Sequence, residues 1–600
     1  MGSPESETPG ADALEHVIVL VLENRSFDHI LGHLPHPDPA FDGTAGHDYA
    51  NRLDPADPRG TRYPVTDDAH YEIHTDPDHE HLAVMAQLAG VGDETNTGFV
   101  ASYLHKELDT EVGGSARAFR HVWARRIAVA AGVAAVPLFV WNLAAGIASL
   151  AVSAAAVAGF LATRPKSPTP AQLVEAEAHV GEIMAGFAPD RVPVLSRLAS
   201  EFGVCQRWFS SLPGETWPNR NFFHAASSSG STDIELGFYE DPTIFERLDH
   251  EWEQEPRTGR PWHVYYGQFP PQVFFFTYVL ERSVDHTSGL EALLADIRAD
   301  RLPAYAFVEP HHGLLGRTPS CSQHPGNNLV GSGGHDFRAG ERLVGEIYGA
   351  LRATPEVFGK TVLLVTYDEH GGTYDHVSPP AAVAPGEIHD TWTRRFTRWA
   401  TARTFPRYDF RRLGVRVPAI VISPWVPAGH LDATDRDHSC VPATLRSRFA
   451  PGQEPLTARD AHAVPFDALL SLPAPRPVAS LPDLGAEMAA LGNPPLFAGE
   501  SSAAPAPGAP SQTEPTTGFG WQLIDLTRAI HRGTVEPVLA AQATPDRSPS
   551  APAPTREAKV TRTRIVPGRE RSRRRSPQDL HQLLDETEFV LGAIAADQQA

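Results

Sequence analysis

The sequence predicts an α/β protein with a mainly parallel central sheet flanked by helices. Apolar runs of strand length recur along the chain, each ends in polar groups, and helical stretches separate them. The clearest run is Thr361-Val-Leu-Leu-Val-Thr-Tyr-Asp-Glu-His-Gly-Gly-Thr-Tyr-Asp-His376, in which Val362 to Thr366 read as a buried strand. Asp368, Glu369, His370 and the Gly371-Gly372 pair follow it. This places charge at the carboxyl end of a sheet, where open α/β sheets keep their ligand sites. Adjacent carboxylates repel, so a cation or a proton is expected between them.

Taken in order, the chain begins with an acidic stretch that has no apolar core of the kind a secretory signal needs. The expected location is the cytoplasm or the cytoplasmic face of a membrane. His16-Val-Ile-Val-Leu-Val-Leu-Glu-Asn-Arg-Ser-Phe-Asp-His29 repeats the central design: Val17 to Leu22 form a strand that delivers Glu23 and Asn24. Two strands of one parallel sheet would bring Glu23, Asn24, Asp368 and Glu369 to a single edge. Hard oxygen donors suit a divalent cation such as Mg²⁺, Ca²⁺ or Mn²⁺, and mixed oxygen and nitrogen sets admit Zn²⁺.

Residues 34–80 are rich in Pro, Asp, His and Gly and read as irregular loops, within which Thr75-Asp-Pro-Asp-His79 stands out. Residues 82–109 regain helical character. From Ile127 to Thr163 there is no charged residue, with Arg120, Arg125 and Arg126 before the run and Arg164 and Lys166 after it. About 20 such residues span a bilayer. One complete crossing would separate Glu23 and Asn24 from Asp368 across the membrane. The expectation is therefore a hairpin, either docked on a membrane with its basic flanks on one side or buried within the protein.

Pro168 to Ser200 read as amphipathic helix, and 232–300 as helices and connections. Leu302-Pro-Ala-Tyr-Ala-Phe-Val-Glu-Pro-His-His-Gly313 is another strand with polar groups behind it, here Glu309, His311 and His312. Gly414 to Pro424 is a further buried strand, and Asp437-His438-Ser439 open a helix. Past about Pro495, stretches rich in Pro, Ala, Ser and Thr read as disordered.

Composition excludes several classes. A formal net charge of −22 argues against nucleic-acid binding. Three scattered cysteines build neither a disulfide scaffold nor a zinc ribbon. A hydrophobic content of 41% supports a substantial core.

Thr216 precedes Trp217-Pro218-Asn219-Arg220. A threonine before a helix start is ordinarily an N-cap, with Pro early in the first turn. The same position also suits a nucleophile: a hydroxyl at a helix N-terminus beside a divalent cation is activated, and phosphoryl oxygens would lie over backbone N–H groups.

Val21-Leu-Glu-Asn-Arg-Ser-Phe-Asp-His29, Thr216-Trp-Pro-Asn-Arg220 and Thr366-Tyr-Asp-Glu-His-Gly-Gly-Thr-Tyr-Asp-His-Val-Ser-Pro-Pro380 resemble the phosphoesterase family of bacterial and plant non-specific phospholipases C and a related acid phosphatase. The likeness extends through Asp336 to Glu341, Gly414 to Pro424 and Asp437 to Ser439. It implies an alkaline-phosphatase-like fold over residues 14–495, with an apolar helical-hairpin insertion at 121–166 and a largely disordered tail at 496–600.

The resemblance implies metal ligands at Glu23, Asn24, Asp368 and Glu369, with Thr216 as metal-bound nucleophile passing through a phospho-enzyme. It makes His79 a phosphoryl contact. The family's His-Pro element corresponds to His324-Pro325 or, across an apparent insertion, to His335, with His324 the better match. Arg220, His311, His312 and Asn24 are expected substrate contacts. The expected partner is a phosphoester or phospholipid, monoester or diester, with a membrane surface and no nucleic acid. The rival reading is a membrane-associated binding protein on an inactive scaffold. A sulfatase of the wider fold would need Cys-x-Pro-x-Arg, and Cys205 is followed by Gln206-Arg207-Trp208.

Overall fold

The computed structural model describes residues 9–91, 95–111, 168–235, 237–268, 271–312, 320–326, 336–386, 388–391, 394–395 and 408–497. The apolar insertion, the region past Phe497 and His335 lie outside the described residues.

Eight strands form the central sheet: β1 His16–Leu22, β2 Gly203–Cys205, β3 Trp262–Tyr266, β4 Thr287–Gly289, β5 Tyr305–Glu309, β6 Thr361–Tyr367, β7 Ala419–Ile422 and β8 His430–Asp432. Their order is β8-β2-β7-β6-β1-β5-β3-β4. β7 runs antiparallel to both its neighbours, and every other pairing is parallel. The expected mixed α/β architecture with a mostly parallel sheet is what the chain forms.

β1 sits between β6 and β5, and Val17 to Leu22 are wholly buried. A strand covered on both faces has no polar side to alternate, which is why it reads as an unbroken run of Val, Ile and Leu. Register then fixes the site. Leu22 pairs with Tyr367 and Leu20 with Val308, so Glu23, Asp368 and Glu309 all emerge at the same end of adjacent strands.

Some elements differ from expectation. The helical stretch at Pro168–Ser200 is two helices, Pro170–His179 and α1 Pro193–Glu201, with a short 3₁₀ turn at Glu182–Met184 between them. Proline lacks the N–H an interior helical position needs, so Pro193 starts a new helix instead of continuing the first. Residues 232–300 contain β3 and β4, not helices alone; Trp-His-Val-Tyr-Tyr is rich in aromatic and β-branched residues that suit a strand. Three further helices matter below: α2 Thr216–Ala225, α3 Phe337–Arg352 and α4 Cys440–Phe449. α3 packs on α1 and α4 on α2. At the first of these contacts the buried Glu341 carboxylate accepts from the N–H groups of Val194 and Leu195, at 2.7 and 3.4 Å, and so caps α1.

Candidate active site

Asn24 follows β1 in the left-handed region, at φ 58°, which asparagine tolerates better than most side chains. Its N–H donates to Asp368 Oδ1 at 3.1 Å, and the N–H of Glu369 donates to the same oxygen at 2.7 Å. The two glycines after Glu369 allow this approach. At Gly371, φ 59°, a Cβ would lie 2.2 Å from the Asn24 carbonyl oxygen; at Gly372, φ 73°, it would lie 2.6 Å from Pro77 Cβ. The loop after β6 can therefore press against Asn24 on one side and the Asp76–His79 loop on the other.

Thr216 is the first residue of α2, and Glu215 holds the N-cap position. The N-cap expectation for Thr216 is thus corrected. Glu215 has the extended backbone of a cap, and its carboxylate accepts from the N–H of Ile234 rather than from the helix. The Thr216 hydroxyl is left to point at Asn24, with Oγ1 3.2 Å from Oδ1.

The other end of the Asn24 carboxamide lies 2.9 Å from His324 Nε2 and 3.4 Å from His79 Nε2. The opposite nitrogen of the His324 ring, Nδ1, lies 3.1 Å from the backbone N of Gly326. His79 donates Nδ1–H to the carbonyl of Pro77 at 2.8 Å. Burial opposes its charge, but Glu369, Asp76 and Glu215 outweigh that and raise its pKa to about 10. Both rings turn their Nε2 atoms toward the Asn24 amide nitrogen. Asp76, His79 and His324 also have ligand atoms within 4.8 Å of one another, but a protonated His79 has no lone pair to offer a cation.

The acids are fully buried, and their charges are partly matched. Arg220 of α2 donates from Nε to Asp368 Oδ2 at 2.9 Å, lies 3.8 Å from Glu23 and 4.0 Å from Glu309, and bonds the carbonyls of Val21 and Leu22. Burial raises the Asp368 pKa to about 7, with Arg220 opposing and Glu23 and Glu369 adding to the rise. Burial also pushes Glu23 upward, but His312 and Arg220 reverse this and hold it below its ordinary value. Glu369 Oε2 accepts from Gly371 N–H at 2.8 Å and lies 3.2 Å from His370 Nδ1. Its Oε1 is buried with no hydrogen-bond partner among the described residues. An orphaned carboxylate oxygen beside Asp368, Glu23 and an amide oxygen is a donor set that fits a hard divalent cation.

The structure therefore brings Glu23, Asn24, Thr216, Asp368, Glu369, His79 and His324 together. His312 reaches the cluster through Glu23, at 3.0 Å. Arg220 lies beneath the acids with no exposed surface. His311 follows β5 with its backbone N–H on Cys321 Sγ, and burial lowers its pKa to about 4.

His438 escaped the sequence reading as a site residue. It donates Nε2–H to the Asp368 carbonyl at 2.7 Å, accepts Trp208 Nε1–H at Nδ1, and stacks on Phe223 of α2. Only its place in the Asp437-His438-Ser439 motif signalled it.

A second group, Asp28, Asp375 and His376, also has ligand atoms within 4.8 Å. Both His376 nitrogens face carboxylates, Nδ1 at 2.7 Å from Asp28 and Nε2 at 3.1 Å from Asp42. A ring donating at both positions has no lone pair for a metal. Arg416, wholly buried, pairs with Asp28 at 2.8 Å and Asp375 at 3.1 Å and lies over the Phe27 ring. This is an ion-pair lock between the short Phe27–Leu31 helix and the Asp375 loop. Arg416→Gln takes the cation from the buried Asp375, while Asp28 keeps His376, and is expected to cost about 3–5 kcal/mol, read from the urea midpoint. A shift equivalent to less than about 1 kcal/mol would show that the lock is not holding these segments.

Fold and cluster define an α/β protein whose carboxylates, amide, hydroxyl and imidazoles meet at the carboxyl ends of central strands. The chain belongs to the Phosphoesterase family, whose model matches residues 14–128 and 159–450. It is 30% identical over 468 residues to non-specific phospholipase C1 of Arabidopsis thaliana, covering 76% of this chain and 70% of that protein. It is 29% identical over 283 residues to non-hemolytic phospholipase C of Pseudomonas aeruginosa, covering 42% and 38%. A protein of the alkaline phosphatase superfamily from Vibrio parahaemolyticus aligns with a TM-score of 0.24 and 14% identity over 45% of this chain and 64% of that chain, a likeness that carries no argument.

Proposed function

We propose that the chain hydrolyses phosphoric esters of the phospholipid type, with Thr216 as the nucleophile. The observation that carries this reading is the Thr216 hydroxyl, aimed at Asn24, whose amide nitrogen faces two imidazoles, in a cluster that also holds an orphaned Glu369 oxygen.

Thr216 Oγ attacks phosphorus, the bond from phosphorus to the leaving alcohol breaks, and the alcohol takes up a proton. Water then cleaves the phospho-threonine by the reverse sequence. The imidazolium of His79, with His324 beside it, holds the phosphoryl oxygens, where a fixed donor favours the charge developed in the transition state. Backbone N–H groups at the start of α2 face the same oxygens. Arg220 keeps Asp368 and Glu23 in place from below and is assigned to positioning, not to substrate. A divalent cation held by Glu23, Asn24, Asp368 and Glu369 would lower the pKa of the Thr216 hydroxyl and neutralise phosphoryl charge. The names of the relatives support the phospholipid class of substrate.

Turnover of a chromogenic phosphodiester and of short-chain phosphatidylcholine is expected to fall at least a hundredfold after exhaustive chelation and to return on adding back Mg²⁺, Ca²⁺, Mn²⁺ or Zn²⁺. Full activity in the metal-stripped protein would overturn the cation's part in this reading. No turnover of any phosphoester under any condition would favour the inactive-scaffold alternative.

A further inference from the structure

We infer that Glu309 is a positioning residue for Glu23 and acts on it through His312. This rests on the proposal that Glu23 is a cation ligand.

Glu309 is the last residue of β5, and β5 lies beside β1, so the register brings Glu309 level with the end of the strand that carries Glu23. It is 1% exposed. Its Oε1 accepts the N–H of Gln272 at 2.7 Å and lies 3.3 Å from His312 Nε2. The opposite nitrogen of that ring, Nδ1, lies 3.0 Å from Glu23 Oε2. The imidazole is thus pinned between two carboxylates on adjacent strands. Glu309 sets the ring's orientation, and the ring sets the direction of the Glu23 carboxylate.

The same acid is tied to the nucleophile's helix. Gln272, which donates its N–H to Glu309, also donates Nε2–H to Asn221 Oδ1 at 2.9 Å. Asn221 follows Arg220 in α2, and Arg220 lies 4.0 Å from Glu309. Removing Glu309 leaves one side of the His312 ring without its carboxylate and lets Glu23 swing toward Arg220, 3.8 Å away. Partners one shell behind a ligand typically govern metal affinity by 10- to 100-fold.

The test uses the full chain, stripped of metal, and reads Mn²⁺ affinity by equilibrium dialysis well below the unfolding midpoint. Glu309→Gln is expected to weaken Mn²⁺ binding by roughly 10- to 100-fold, and His312→Gln by a similar factor. Because Glu309 acts through His312, the double variant should bind no more weakly than His312→Gln alone. A purely structural acid would lower the melting temperature without this non-additivity. Should Glu309→Gln fail to fold, Glu309→Asp, which keeps the charge but shortens its reach, is read in the same cycle. Affinity within twofold of wild type for the Glu309 variant, or single effects that multiply in the double variant, would overturn the inference. Glu23→Gln separates the two levels. If it binds Mn²⁺ like wild type, the ligand assignment itself fails and the inference with it. If it loses binding while the Glu309 variant does not, only the role of Glu309 is wrong.

Discussion

Thr216→Ala is expected to lose phosphoester turnover by on the order of 10³-fold or more, with little change in fold or metal content. The structure explains why the two effects separate. Glu215, not Thr216, is the N-cap of α2, so no capping interaction goes with the hydroxyl. Alanine is the best helix former and is well tolerated in the first turn. The hydroxyl's contact is with Asn24 Oδ1, a group that keeps its backbone bond to Asp368. Steady-state kinetics on a soluble phosphodiester and circular dichroism on the same preparation check both halves. Activity within tenfold of wild type would sink the nucleophile assignment, and Thr216→Ser should keep more activity than Thr216→Ala because a hydroxyl remains.

The second large effect is expected at the acids. Glu23→Gln keeps the shape of the side chain and removes its charge, so metal content should fall severalfold or more and turnover at least a hundredfold. Asp368→Asn should do the same and also destabilise the protein, because Arg220 is wholly buried and donates to Asp368 Oδ2. Taking one partner from a buried pair costs about 3–5 kcal/mol. Metal analysis by mass spectrometry and thermal unfolding distinguish the two variants. Stoichiometric metal retained by the double variant would mean that these acids serve the fold alone.

What the sequence made legible follows from which signals are local. β1 and β6 are buried on both faces, so each reads as an apolar run, and the acids behind them stand out by contrast. Thr216 and His79 came from motifs, and the structure then put them next to Asn24. Other features depend on partners far along the chain. β2 and β8 are three residues each, too short to show a period. The antiparallel run of β7 depends on how the chain returns to the sheet, which strand propensity does not encode. His324 is already the better match to the His-Pro element; the structure places it beside the Asn24 carboxamide, while His335 lies outside the described residues. The family resemblance makes Arg220 an expected substrate contact. Its burial beneath three acids is a fact of packing between α2, β1 and β6.

The central place of β1 has a consequence for how the protein is made. β1 is complete within the first two dozen residues, yet its sheet neighbours β5 and β6 are encoded far downstream, and the bond from Asn24 to Asp368 joins residues 344 apart in sequence. At roughly 5–20 residues per second, the ribosome needs about 20–70 s to supply the partner. Until β5 and then β6 emerge, a fully apolar strand waits with unpaired edges, the kind of segment that aggregates or recruits chaperones. The high contact order of this arrangement also predicts slow refolding from denaturant, with the acids at the ends of β1 and β6 among the last groups to find one another. Expression yield should therefore respond to chaperone supply and growth temperature more than to any substitution at the protein surface.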